Sequence, residues 1–217
     1  MWRARVPDPS QFALFLAAAL LLAVTPGPGI FYVAARSLAG GREEGIASSL
    51  GTGLGGTVHV LAGALGVSAI VLASAELFTL LKLAGAAYLV WLGLCAILAA
   101  RRDALAPEPT PALGSRRAFR EGVVVEALNP KTAAFFLAFV PQFVDPTQGQ
   151  VAVQFAVLGL LSVLLNTLAD IVVAIAGGSI RQGASTRPGL VRRLRAASGG
   201  AMIALGLGLV FVRRPAS

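Results

Sequence analysis

Polar and charged positions along the chain are confined to short stretches between long apolar runs. Six runs stand out by their charge-free limits: Pro9–Ala35, Gly45–Ala75, Leu83–Ala100, Gly122–Val144, Pro146–Ala169 and Ala196–Val212. The fourth is interrupted by Glu126 and Lys131, and the fifth continues past Asp170 to Ile180. About 20 residues at a helical rise cross the hydrocarbon core of a bilayer, and lipid offers no partner to a bare amide or carbonyl. The pattern predicts an all-α membrane protein with six transmembrane helices, forming a single transmembrane domain over residues 1–217.

Prolines interrupt two of these runs. Pro26 and Pro28, interleaved with Gly27 and Gly29, fall in the first run, and Asn129-Pro130 falls in the fourth. A proline removes a backbone donor and clashes with the turn before it, so both helices are predicted to break. The connection from Arg101 to Glu121 carries Pro107, Pro109 and Pro111 and is expected to be extended and solvated. It divides the chain into repeats of about 9–100 and 122–213, each beginning with a broken helix. Ala23-Val24-Thr25-Pro26 in one resembles Ala127-Leu128-Asn129-Pro130 in the other. Three spans per half is an odd number, so the second half starts from the opposite side, which predicts an inverted-topology repeat with helices one and four broken. Broken backbone at membrane depth is tolerated beside protein or a water-filled cavity. Pro26, Gly27, Pro28, Asn129 and Pro130 are therefore expected to line a substrate site near the midplane. The plainer reading is a pair of kinks used for packing.

Composition strengthens the membrane reading. Charged residues make up 13% of the 217 residues, against about 25% in soluble domains, and the mean hydropathy is +0.79. The net charge of +8 does not point to nucleic acid, because the arginines sit in short tracts between apolar runs. Twelve basic residues fall after the first, third and fifth runs and five on the other side. The positive-inside rule then places both termini outside the cytoplasm. Arg3 and Arg5 followed by the run Phe12–Val24 resemble a signal peptide, but no small-x-small cleavage site follows, so an uncleaved first helix is expected. A single cysteine, Cys95, excludes an internal disulfide.

Ionisable residues inside the runs are the candidates for chemistry, because a charge at the bilayer centre costs about 3 kcal/mol on insertion scales. Lys131, directly after the second break, is expected to bind a carboxylate or to pair with an acid. Asp170 lies four residues after Asn166 on the same helix face and suits a role in substrate or proton handling; a static ion pair with Lys131 is the alternative. Glu126 and His59 are further candidates for proton coupling, with the plainer readings of an interfacial acid and of a histidine hydrogen-bonded to a neighbouring helix. Gly51 and Gly55 form a small-xxx-small pair suited to close helix packing. No Gly-x-x-x-x-Gly-Lys-Ser/Thr loop, His-Glu-x-x-His motif or His-rich metal set is present. Neither an enzyme nor a bound cofactor or metal is expected, and uphill transport would draw on an ion gradient.

Three stretches together resemble the LysE/RhtB family of amino-acid exporters: Thr25-Pro26-Gly27-Pro28, Leu81 to Gly93 (LKLAGAAYLVWLG), and Leu128 to Phe136 (LNPKTAAFF) followed by Pro141-Gln142-Phe143. Their order and spacing extend the likeness over nearly the whole chain. The resemblance implies a bacterial inner-membrane exporter of amino acids or related metabolites, driven by the proton motive force, with its proline motifs at Pro26, Pro28, Asn129, Pro130 and Lys131. Expected partners are the lipid bilayer and a small-molecule substrate, and the small number of spans makes a homodimer an expectation. A membrane structural or assembly protein with inert buried charges is the alternative.

Overall fold

Both expected breaks are present. The computed structural model describes residues 9–67, 75–102, 111–180 and 188–211, which contain seven α-helices and no strand. These are α1 (Pro9–Val24), α2 (Pro28–Ala62), α3 (Ala75–Arg102), α4 (Ser115–Ala127), α5 (Pro130–Ala134), α6 (Val151–Ile180) and α7 (Pro188–Phe211). Arg3, Arg5, Pro107 and Pro109 lie outside the described residues.

The apolar helix α1 ends at Val24, where the Thr25 amide closes the last turn onto the Leu22 carbonyl at 3.1 Å. Gly27 is extended, and Pro28 opens α2 at the first helical position, where no donor is required. α2 is not one straight rod. Gly41 has φ 80°, a left-handed conformation that favours glycine. There the chain doubles back, so that Ser37 meets Gly45 and Gly29 comes near Thr52. The two arms of α2 therefore lie side by side. The polar loop expected from Arg36 to Glu44 is absent, because one glycine makes the reversal and the residues around it stay helical.

Two other boundaries differ from expectation. Helix α4 starts at Ser115, inside the connection expected to stay extended to Glu121. Its charges form an exposed face, on which Arg117 Nε donates to Glu121 Oε1 at 2.8 Å, while Ala118 and Gly122 are buried. Similarly, α7 begins at Pro188, so Arg192, Arg193 and Arg195, expected in a loop, lie on helix.

α4 stops before the second break. Asn129 Oδ1 accepts from the Lys131 amide at 3.0 Å and caps α5, with Pro130 at its first position. Beyond α5 the chain widens into a π-helical turn at Phe135–Phe139 and then tightens into a 3-10 turn at Val140–Phe143. Ser115–Ala127 and Pro130–Phe143 are bent by 41° to one another. Among the described residues, Val151–Gly178 is by itself long and apolar enough to cross a membrane; Pro9–Val24 with the helix after it, and α4 with Pro130–Phe143, qualify as broken pairs.

The core forms where the aromatic turns after α5 meet α1 and α6. Phe15, Phe135, Phe136, Phe139 and Phe155 are buried together there. The second arm of α2 packs along α4 and α6, and α3 packs along α7. Gly51 and Gly55 lie against the Phe119 and Val123 carbonyls, and a Cβ on Gly122 would fall 2.7 Å from the Ser48 carbonyl. The small-residue pair therefore does bring two backbones into contact. Leu50, Leu54, Val58 and Leu61 point outward and are exposed, as a lipid-facing surface requires. Cys95 is exposed on α3.

Candidate functional site

The two breaks face one another, and polar side chains gather between them. Glu126 ends α4 and is buried. Its Oε2 accepts from Asn129 Nδ2 at 2.9 Å and its Oε1 from the Thr132 hydroxyl at 2.6 Å. One carboxylate thus spans the second break. Gly29, just past the first break, is so close that any Cβ there would collide with Glu126 Oε2. His59 Nε2 lies 2.8 Å from the Glu126 backbone carbonyl. A carbonyl only accepts, so Nε2 carries a proton and donates. Its ring also stacks on Phe136 at 6.0 Å. This is the geometry of a histidine bonded to a neighbouring helix.

Asp170 is fully buried on α6. Its Oδ2 sits 2.8 Å from the Thr52 hydroxyl, which is also 2.9 Å from the Ser49 carbonyl. A hydroxyl has one proton to give. When it goes to Ser49, the short contact to Asp170 is satisfied by a proton on the carboxyl; when it goes to Asp170, the carboxylate is the acceptor. Asp170 Oδ1 has no hydrogen-bond partner among the described residues. The Thr52 hydroxyl can therefore meet Asp170 either as donor or as acceptor.

Lys131 is buried, with its stem against Gly27, where a Cβ would fall 3.0 Å from the lysine Cδ. Its ammonium donates to the Thr25 carbonyl at 2.8 Å and the Leu22 carbonyl at 3.2 Å. Its direct partners among the described residues are thus backbone carbonyls, with Glu126 and Asp170 close enough to act on it only through space. The ends of helices expose carbonyls and carry partial negative charge, and the proline stop of α1 presents such an end to the lysine.

A narrow cleft of about 20 Å³, room for about one water, opens beside these groups. Its walls include Leu22, Thr52, Glu126, Thr132, Ser162 and Asn166. Of the residues singled out in sequence as site candidates, Glu126 lines the cleft directly. Asp170 stands behind Thr52, Asn129 and Lys131 form the frame, and Pro28 is exposed. In the sequence Thr132 and Phe136 stood out only within the stretch Leu128 to Phe136, and Thr52 and Ser162 were not singled out. The walls offer a carboxylate, hydroxyls, an amide and apolar surface, with no cation among them. Among the described residues, no three His, Cys, Asp or Glu side chains gather to hold a metal.

A family model described as LysE type translocator matches residues 20–213, a stretch that holds both breaks and every group above. The chain belongs to the LysE type translocator family. Similar relatives include the homoserine/homoserine lactone efflux protein of Salmonella typhimurium, 34% identical over 155 residues, which are 71% of this chain and 74% of the relative. The leucine efflux protein of Klebsiella pneumoniae is 28% identical over 188 residues, 84% of this chain and 86% of the relative. A membrane protein of Vibrio cholerae is 32% identical over 154 residues, 71% and 74% of the two chains. No solved structure matches significantly. This translocator is thus a membrane transporter and not an enzyme.

Proposed function

We propose that this LysE-type translocator exports amino acids or closely related small metabolites across the bacterial inner membrane by proton antiport. The observation that carries this reading is the buried Thr52–Asp170 pair behind a mostly apolar cleft whose walls include Glu126, Thr132 and Asn166. In the proposed cycle the substrate enters from the cytoplasm and its ammonium is first met by the oxygens of Glu126 and Thr132 at the cleft wall. Apolar side chains rest on Leu22, Phe136 and Val163, which favours neutral substrates. Asp170 takes a proton from outside as substrate leaves and returns it inside, with Thr52 reorienting its hydroxyl at each exchange. The efflux names of the Salmonella and Klebsiella relatives support the substrate class.

The proposed architecture is six spans in two inverted repeats, both termini outside. It is supported by the likeness of the two breaks, each closed by a proline opening the next helix, and by the packing of like on like: the second arm of α2 on α6, and α3 on α7. A test uses purified protein in liposomes loaded with labelled amino acids. An acidic exterior should accelerate efflux through the wild type, and Asp170→Asn should abolish that acceleration. Gradient-driven efflux at the full rate in Asp170→Asn would remove Asp170 from the cycle. A structural or assembly protein would move nothing in either form.

A further inference from the structure

The transport reading leaves one buried cation without a task. Among the described residues Lys131 makes no direct ion pair, although Glu126 and Asp170 are near enough to act on it through space; its ammonium sits on the Thr25 and Leu22 carbonyls at the end of α1. We propose that Lys131 is an internal stand-in for the substrate's ammonium, filling in the empty carrier the carbonyl cradle that an exported amine fills in transit.

Three observations carry this. First, the occupant and the ligand have the same chemistry. Lysine ends in a primary ammonium on a flexible stem, and an amino acid presents the same donor group. Second, the cradle adjoins the cleft, since Leu22 both lines the cleft and gives its carbonyl to Lys131. Third, Lys131 is tethered beside the second break while the cradle belongs to the first, so leaving the cradle alters the tie between the two broken helices.

The swap is balanced in charge. A zwitterion brings an ammonium for the cradle and a carboxylate for the lysine it evicts, and the cleft otherwise holds no cation for that carboxylate. When substrate departs, Lys131 falls back onto the Thr25 carbonyl and shares the Leu22 carbonyl with the Thr25 amide as the empty carrier returns. The lysine thus serves the empty return step, whereas exchange of one substrate molecule for another never passes through an empty carrier.

This inference rests on the transport reading, and two modes of flux separate them. Full-length protein in liposomes is assayed for net efflux and for one-to-one exchange with every proteinogenic amino acid. Wild-type vesicles that move none of them in either mode overturn the transport reading, and this inference with it. For an amino acid that is moved, Lys131→Met should lower the ratio of net efflux to exchange on the order of tenfold, the scale of leaving a buried acceptor without its donor. Propylammonium added to Lys131→Ala should restore the ratio, and tetramethylammonium, which has no N–H, should not. Gly27→Ala, which presses a Cβ on the lysine stem without removing the charge, should shift the ratio the same way and carries the test if the lysine variants do not fold. Net efflux and exchange falling together, or an unchanged ratio, would overturn the proposal and leave Lys131 as a packing tie.

Discussion

The Thr52 hydroxyl of α2 and Asp170 Oδ2 of α6 meet at 2.8 Å in a fully buried contact that joins the first half of the chain to the second. Because Asp170 Oδ1 has no partner among the described residues, Thr52 is the side chain seen to bond this acid. Thr52→Val keeps the shape and removes the hydroxyl. An unsatisfied buried group costs about 1–3 kcal/mol, and for a chain of this size each kcal/mol lowers the thermal midpoint by about 2–4 °C. Thr52→Val in detergent should therefore melt several degrees lower, and Thr52→Ser close to wild type. Equal melting of the valine variant and the wild type would mean that the contact contributes nothing.

His59 is expected to act by donating to a backbone carbonyl and not by cycling its proton. His59→Gln keeps an N–H at a similar reach, so it should retain efflux with the same dependence on external pH. His59→Leu leaves the Glu126 carbonyl without that donor and should lose stability by about 1 kcal/mol. A shifted pH profile in His59→Gln, measured as initial efflux rate against external pH, would instead place the imidazole in the proton path.

What the sequence revealed and what it hid follow from range. The breaks at Pro26–Pro28 and Asn129-Pro130 were legible because proline acts on its own neighbours. Asp170 and Glu126 were legible because acids inside apolar runs are costly wherever they point. The partners of Lys131 were not, since they are backbone carbonyls more than a hundred residues earlier, which carry no residue signature. Arg36 falls between the first two apolar runs and so reads as a loop charge; the reversal at Gly41 that buries it depends on one dihedral angle. The start of α4 was missed because a charged amphipathic turn resembles a solvated loop until the partner covering its Ala118–Gly122 face is known.

Close approach of α2 to α4 gives a packing prediction. Gly51 and Gly55 sit against carbonyls of Phe119 and Val123, which are backbone and cannot swing aside. Overpacking such a contact costs about 1–3 kcal/mol. Gly51→Val and Gly55→Val should each lower the thermal midpoint, whereas Gly66→Ala, which meets open space, should not. Equal effects at all three positions would contradict the packing.

The sharpest stability test lies at the hairpin end of α2. Arg36 and Glu44 are both buried, with Nη1 and Oε2 at 3.8 Å. Glu44 Oε1 accepts from the Leu113 and Gly114 amides at 2.8 and 2.6 Å, so a carboxylate from α2 caps the N-terminus of α4. Arg36 Nη1 donates to the Pro111 carbonyl at 3.1 Å, gripping the same stretch from the other side. Removing one member of a buried pair strands the other and typically costs about 3–5 kcal/mol, while removing both charges costs far less than the sum. Arg36→Met should therefore be severely destabilised. Glu44→Gln, which keeps an acceptor for the two amides, should suffer less, and the double variant should recover part of the Arg36→Met loss. Denaturation of the three variants in one detergent gives the coupling energy directly, expected within about 0.5–3 kcal/mol. Losses that simply add would show that each side chain serves only its backbone partners, Pro111 for the arginine and Leu113 with Gly114 for the glutamate, and that the two charges stand near each other without holding the hairpin to α4 as a pair.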